Sequence, residues 1–266
     1  MGVYDKALAV LAAPSAPLKC QAAQALKAEW LTNKSFGTPP SELPNRPARP
    51  HRPALVPPAE VPRRRLGSPQ GRAALLHAVA HIELNAIDLA ADMVARFGHH
   101  PDIADKDRAA FITDWIEVCD DEARHFGLLA ARMKTLGMAY GDLPAHDGLW
   151  EAAYSTKDNF AARLAIAPMV LEARGLDVTP GMIEKLTKVG DLESVEILKI
   201  IYNDEIGHVA KGARWFQILA QIRQKEPESF FHSLVTEHFK GRLKPPFNVQ
   251  ARTLAGLKQG YYMPLT

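Results

Sequence analysis

An all-α four-helix bundle is the fold predicted for this 266-residue chain, on three observations. Long segments repeat apolar residues every three or four positions, the period of a helix with one buried face. No segment alternates apolar and polar residues as a half-buried strand would. Glycine, proline, serine and aspartate stand where those segments begin and end. With 47% apolar residues, the chain is long enough and apolar enough to bury a full core.

Residues 3–32 read as helical, interrupted at Pro14 and Pro17. Residues 34–69 then hold ten of the twenty prolines, with Arg46, Arg49 and Arg52 among them and Arg63, Arg64 and Arg65 beyond. Proline fixes its own φ and removes a donor, so this is an extended arm. It either wraps the core, offers a basic contact to RNA, nucleotide or an acidic partner, or forms a flexible tail.

Ser68 is a cap and Pro69 a first helical residue, opening a helix that runs to Gly98 through Leu76, Val79, Ile87, Ala90, Val94 and Phe97. A second helix starts at Ala104 or Asp105 and carries Phe111, Trp115, Val118, Phe126, Leu129, Met133 and Leu136, with Gly137 as its stop. Residues 138–155 are a connection. A third helix over about 157–174 ends at Gly175, and Thr179-Pro180 starts a short one to about Val189. Asp191 caps a fourth long helix through Val195, Leu198, Tyr202, Val209, Gly212, Phe216 and Leu219, ending before Pro227. Three regions follow: N-terminal helices and arm over 1–67, the bundle over 68–226, and a C-terminal helix and tail over 227–266. The tail's Phe230, Phe231, Phe239, Phe247, Tyr261 and Tyr262 would cover the bundle or a second subunit, so a homodimer is an open partner.

Charged residues sit inside these stripes. Glu122 and His125 fill the gap between Val118 and Phe126, and Glu205 and His208 that between Tyr202 and Phe216. Residues three apart share a helix face, so each Glu-x-x-His points inward. Glu83 lies between Val79 and Ile87, and Glu172 follows Ala165 and Met169. Four buried carboxylates would lose their water and repel one another. A pair of divalent ions removes both problems. One Glu from each of two helices and a Glu-x-x-His from each of two others is the ferritin-like dinuclear carboxylate set. Glu83, Glu122, His125, Glu172, Glu205 and His208 are therefore the candidate metal ligands. Their oxygen and nitrogen donors suit two Fe ions, two Mn ions or a mixed pair. The competing reading pairs the acids with Arg124, Arg163 and Arg174 as buried salt bridges.

The chain also repeats itself. Setting Glu83 on Glu172 places Asp88 on Asp177, and setting Glu122 on Glu205 places Asp121 on Asp204. Asp121 and Asp204 are read either as partners of the histidines' outer nitrogens or as surface acids. Tyr202, one turn before Glu205, either bonds to the centre or carries an electron as a catalytic residue, or is a core aromatic. Cys119, in the matching place before Glu122, is a small buried hydrophobe. His77 is close to the direction of Glu83 and would line an entrance, whereas His81, about 200° away around the helix, would pack or face solvent. Tyr140, His146 and Trp150 would line a substrate mouth or pack within their loop.

The segments AHIELNAIDLA, DDEARHF, LEARGLD and NDEIGHV, with KPPFN at 244–248, resemble the bacterial ferritin-like proteins of the DUF455 group. The resemblance runs from the arm to the C-terminus. It implies the same six metal ligands, Glu83, Glu122, His125, Glu172, Glu205 and His208. That group is similar at a distance to the diiron tRNA hydroxylase that acts on a modified adenosine, which implies O₂ as a partner but no particular substrate. The expected activity is an O₂-dependent oxidase or hydroxylase of a small or nucleotide-like substrate, with arm arginines available to an anionic group. The alternatives are ferroxidase, peroxide scavenging or metal storage. No nicotinamide or flavin fingerprint is present, so an oxygenase would draw electrons from a separate donor. A modified nucleoside stays open as substrate. No uninterrupted apolar run reaches the roughly 20 residues that span a bilayer, and Cys20 and Cys119 make no disulfide framework. A reduced, cytoplasmic protein without membrane contact is expected. The net charge of +2 is too small to indicate nucleic acid.

Overall fold

The computed structural model describes residues 2–61 and 66–266, so Arg63, Arg64 and Arg65 of the arm lie outside the described residues. Helix α1 (Val3–Ala12) and α2 (Ala16–Asn33) form a hairpin broken at the prolines. Helix α3 (Pro69–Asp92) starts at Ser68, whose hydroxyl accepts from Gly71 N at 3.1 Å, and continues as a π-turn over Met93–Phe97. Helix α4 spans Asp105–Thr135 and α8 spans Leu192–Ile222, the latter capped by Asp191. Helix α3 packs on α4, α4 on α8, and α1 and α2 cover α3 and α4 from outside.

Two expectations need correction. The connection at 138–155 contains its own helix, α5 (Gly148–Ser155). The third bundle helix does not stop at Gly175. It runs from α6 (Phe160–Ile166) through a π-turn (Ala167–Glu172) into α7 (Ala173–Lys188), with Pro180 inside. Gly175 and Pro180 are local helix breakers. They are overruled because Ala173, Leu176, Thr179 and Leu186 continue the buried stripe of α7, which packs on α8. The π-turn contains Pro168, which has no N–H for the helical ladder. Gly212 of α8 lies against it: a Cβ there would stand 2.4 Å from Pro168 Cβ. That close approach brings the turn ending in Glu172 onto α8.

The C-terminal region adds α9 (Pro227–His238), α10 (Val249–Leu254) and α11 (Gln259–Tyr262). Its aromatics pack on the bundle: Phe230 and Phe231 stand 5.5 and 5.9 Å from Phe216. The arm is irregular and fastened by its backbone. Ala48 N donates to Leu11 O, Pro44 O accepts from Arg96, and Asn45 O accepts from the indole of Trp150. A single parallel bridge from Leu55 to Ala145 joins arm to connection and is the only β-pairing among the described residues. By average hydropathy and length the stretch Pro69–Phe97 would qualify as a membrane span, but 78% of that window is buried. Glu83, Asp88 and Asp92 are buried along it.

Candidate metal centre

Helices α4 and α8 lie side by side and turn their Glu-x-x-His faces toward each other. Glu122 sits between the two imidazoles: its Oε2 is 3.5 Å from His125 Nδ1 and its Oε1 is 3.1 Å from His208 Nδ1. Glu83 reaches across from α3, with Oε2 3.1 Å from His125 Nδ1. Glu205 Oε1 is 3.7 Å from His208 Nδ1. Ligand atoms of Glu83, Glu122, His125 and Glu205 all lie within 4.8 Å of one another, and all four residues are buried. His208 and Glu172 lie outside this set: His208 borders it through Glu122, and Glu172 stands at the end of the π-turn, where its carboxyl is raised to about 8 by burial and by the neighbouring Glu205 and Glu122.

The outer ring nitrogens are held in a crossed pattern. His125 Nε2 is 3.0 Å from Asp204 Oδ2 of α8, and His208 Nε2 is 3.3 Å from Asp121 Oδ2 of α4. Each aspartate therefore serves the histidine of the opposite helix, not its own. Arg124 closes the pattern by donating to Asp121 Oδ1 at 3.2 Å and Asp204 Oδ2 at 2.6 Å. With Nε2 engaged outside, both imidazoles present Nδ1 to the carboxylates, the tautomer control expected around a metal.

Burial lifts Glu83 well above the usual carboxylate range and raises Glu205, in each case reinforced by Glu122. Burial acts the same way on Glu122, but His125 and His208 outweigh it and hold that carboxyl below its usual range. Burial alone would lower both imidazoles. The carboxylates of Glu122 and Glu83 beside it instead raise His125 to about 11, and Asp121, Glu122 and Glu205 raise His208 far above its ordinary value.

Five buried polar atoms nonetheless lack a hydrogen-bond partner: Glu122 Oε1 and Oε2, Glu172 Oε2, Glu205 Oε2 and His208 Nδ1. Each such orphan costs about 1–3 kcal/mol, and all are donors a divalent cation accepts. The salt-bridge reading fails for these acids among the described residues. Arg124 serves the two outer aspartates, Arg163 pairs with Asp92, and Arg174 lies 3.4 Å from Asp177. Oxygen and imidazole donors fit iron or manganese, and no thiolate is among them.

Other expected positions fall elsewhere. Tyr202 turns its hydroxyl to Asn248 Nδ2 at 2.8 Å and makes no hydrogen bond to the six. That bond attaches the tail to α8. Cys119 is buried beside Ile87 O, and burial pushes its thiol well up. His77 accepts from Gly141 N and stacks on Tyr140. His81 is buried, not at the surface, and bonds Tyr140 Oη, His146 O and Asn85. Burial, with Arg49 nearby, lowers it to about 4. Trp150 is buried as loop packing.

Beside Glu83, Glu172 and Glu205 lies a cavity of about 140 Å³ with mostly apolar walls, including Val79, Ala86, Leu149, Leu198 and Ile201. Among the described residues, no arm arginine lines it. Arg46 and Arg49 bind Asp147, and Arg49 also bonds Asn85 at 2.5 Å. They close the arm onto the connection, and only Leu149 of the connection reaches the cavity. Long-range pairing of this kind has no sequence period, which is why the partners of Arg124, Arg46 and Arg49 escaped a reading by spacing.

A family model described as "Protein of unknown function (DUF455)" matches residues 12–263. A Haemophilus influenzae protein described as "Uncharacterized protein" is 43% identical over 212 residues, covering 80% of this chain and 74% of its own length. No solved structure matches.

Proposed function

The chain belongs to the DUF455 family, and we propose that it is a ferritin-like dinuclear carboxylate protein, with iron as the resident pair, that oxidises a small organic substrate with O₂. The observation that carries this reading is the sealed cluster of Glu83, Glu122, His125 and Glu205 with orphaned donors around it. Glu83 and His125 would hold one ion, Glu205 and His208 the other, with Glu122 between them and Glu172 completing the set. When bound, a ferrous pair supplies two electrons to dioxygen.

The chain's own contribution is positioning and exclusion of water. Asp204 and Asp121 fix the imidazoles; burial would raise both carboxyls, but His125 with Arg124 at Asp204, and His208 with Arg124 at Asp121, hold them below their usual range. The apolar walls beside Glu83 and Glu172 exclude water from the reacting side. That cavity favours an enzyme over a simple ion store, because an ion path needs no apolar chamber. Electrons for an oxygenase would come from a separate donor.

Anaerobic loading with Fe²⁺ followed by O₂ tests the reading. The expected result is a near-ultraviolet ferric absorption appearing faster than with free Fe²⁺, and lost in Glu122→Ala. Oxidation no faster than in buffer would leave a passive metal-binding role. Fast oxidation with no substrate consumed in a screen of metabolites and modified nucleosides would indicate a ferroxidase.

A further inference from the structure

The cavity beside the metal cluster has a neighbour of opposite character. Between α7 and the segment following α9 is a second cavity of about 300 Å³. Its lining includes Arg174, Lys240, Arg242 and Lys244, and no carboxylate. Lys240, Arg242 and Lys244 are exposed and make no ion pair among the described residues. Arg252 also borders this cavity but is already taken by Asp177 through two hydrogen bonds, at 2.9 and 2.7 Å. Lys240, Lys244 and Arg242, whose Nη1 donates to Thr266 O at 3.4 Å, surround one concavity with no carboxylate side chain in its lining, a receptor for an anion.

The two cavities share a wall. Leu171 and Arg174 line both, and they flank Glu172, which the π-turn delivers to the metal cluster. Arg174 donates from Nη1 to Lys244 O at 2.7 Å and to Pro246 O at 3.3 Å, so its guanidinium stands at the junction. Buried carboxylates and apolar walls thus lie on one side of these two residues, and the cationic concavity on the other. Both volumes together lie in the range of small-molecule sites, about 300–1,000 Å³.

We infer that the substrate is an amphipathic anion: an apolar chain lying in the cavity beside Glu83, Glu172 and Glu205, and a carboxylate or phosphate head held by Lys240, Arg242 and Lys244. This rests on the proposed metal centre for its chemistry, but not for its binding. The apolar end is the part placed for oxidation, and the head fixes which carbon arrives there. Of the arm arginines expected in this role, Arg46 and Arg49 are spent on Asp147.

Calorimetry with octanoate, octyl phosphate, octanol and inorganic phosphate tests the inference on the full chain. Octanoate or octyl phosphate should bind at least about tenfold tighter than octanol, the worth of one hydrogen bond to a charged group, and tighter than inorganic phosphate. The head that binds better identifies the source of the anion. The triple variant Lys240→Gln, Arg242→Gln, Lys244→Gln should lose that advantage and leave octanol binding unchanged; its positions are exposed, so folding is not at stake. Equal binding of octanol and octanoate, or an unaffected triple variant, would overturn the inference. A second readout uses octanoate fluorinated at its terminal methyl. In Mn²⁺-loaded protein that fluorine line should broaden strongly, and an unbroadened line with Mn²⁺ bound would also overturn it. If no Mn²⁺ is taken up, the proposed metal centre fails while the calorimetry still decides the inference.

Discussion

Asp88 and Asp177 occupy matching places in two helices, five residues after Glu83 and Glu172, and the chain satisfies them differently. Asp88 takes the ammonium of Lys19 from α2 at 2.6 Å, with both side chains wholly buried and Lys19 also donating to Val10 O. Asp177 takes the guanidinium fork of Arg252 from α10, which stacks against Phe247 and Tyr262, and it also accepts from Asn248 N. Each half of the bundle thus borrows its cation from outside the bundle. The N-terminal hairpin locks α3 and the C-terminal tail locks α7. The halves differ in access as well. The first half is closed on the outer face of α3, where the connection covers His81 through Tyr140 Oη and His146 O. In the second half, Leu171 and Arg174 beside Glu172 also line the cationic cavity, while Glu83 and Glu172 both border the apolar one.

The largest expected effect comes from breaking the closed side. Lys19→Met leaves an uncompensated buried carboxylate and should cost about 3–5 kcal/mol in denaturant unfolding. Adding Asp88→Leu should restore much of that loss. A Lys19→Met protein as stable as wild type would remove the idea of a lock.

Arg252→Gln should cost less, about 1.5–3 kcal/mol, because Asn248 N still serves Asp177. Arg252→Lys keeps the charge but loses the fork and the stacking, so it should fall between. If Arg252→Gln proves the more damaging change, the order of the two locks is wrong.

Acid should loosen the closed side first. His81 titrates at about 4 in the folded chain against 6.5 when unfolded. The unfolded state therefore binds the extra proton across that window, and stability is full above 6.5 and falls as pH drops toward 4. By pH 5 the loss is roughly 2 kcal/mol. Hydrogen-exchange protection at 138–147, corrected for the intrinsic pH dependence of amide exchange, should fall between pH 7 and pH 5, more than at 239–248. Equal losses of protection in both segments would remove the contrast.

The crossed aspartates should act on metal affinity more than on folding. Asp204→Asn and Asp121→Asn should each weaken metal binding about 10–100-fold, measured by chelator competition. An effect from one but not the other would show that the two halves hold their ions unequally.

Much of this was legible in the residues. The apolar stripes located α3, α4 and α8, and the spacing of each Glu-x-x-His placed its pair inward. Ser68 and Asp191 marked helix starts that the structure keeps. Gly175 and Pro180 misled, because a breaker's local cost is smaller than the burial of Leu176 and Leu186. The π-turn before Ala173 depends on Gly212 fitting Pro168 across two helices, a contact with no trace in either local sequence. Lys19, Arg124 and Arg252 found their partners through the fold, so only the repeated aspartates gave any hint that counter-cations were needed.

Metal stoichiometry tests the central claim most directly. The protein is loaded anaerobically with Fe²⁺ or Mn²⁺, desalted, and analysed for metal per chain. Two ions are expected for the wild type, as the six-ligand set requires, and a sharp loss in the double variant His125→Ala, His208→Ala at unchanged helical content. A wild type that retains none, or a double variant that retains as much as the wild type, would contradict a dinuclear centre at Glu83, Glu122, His125, Glu172, Glu205 and His208.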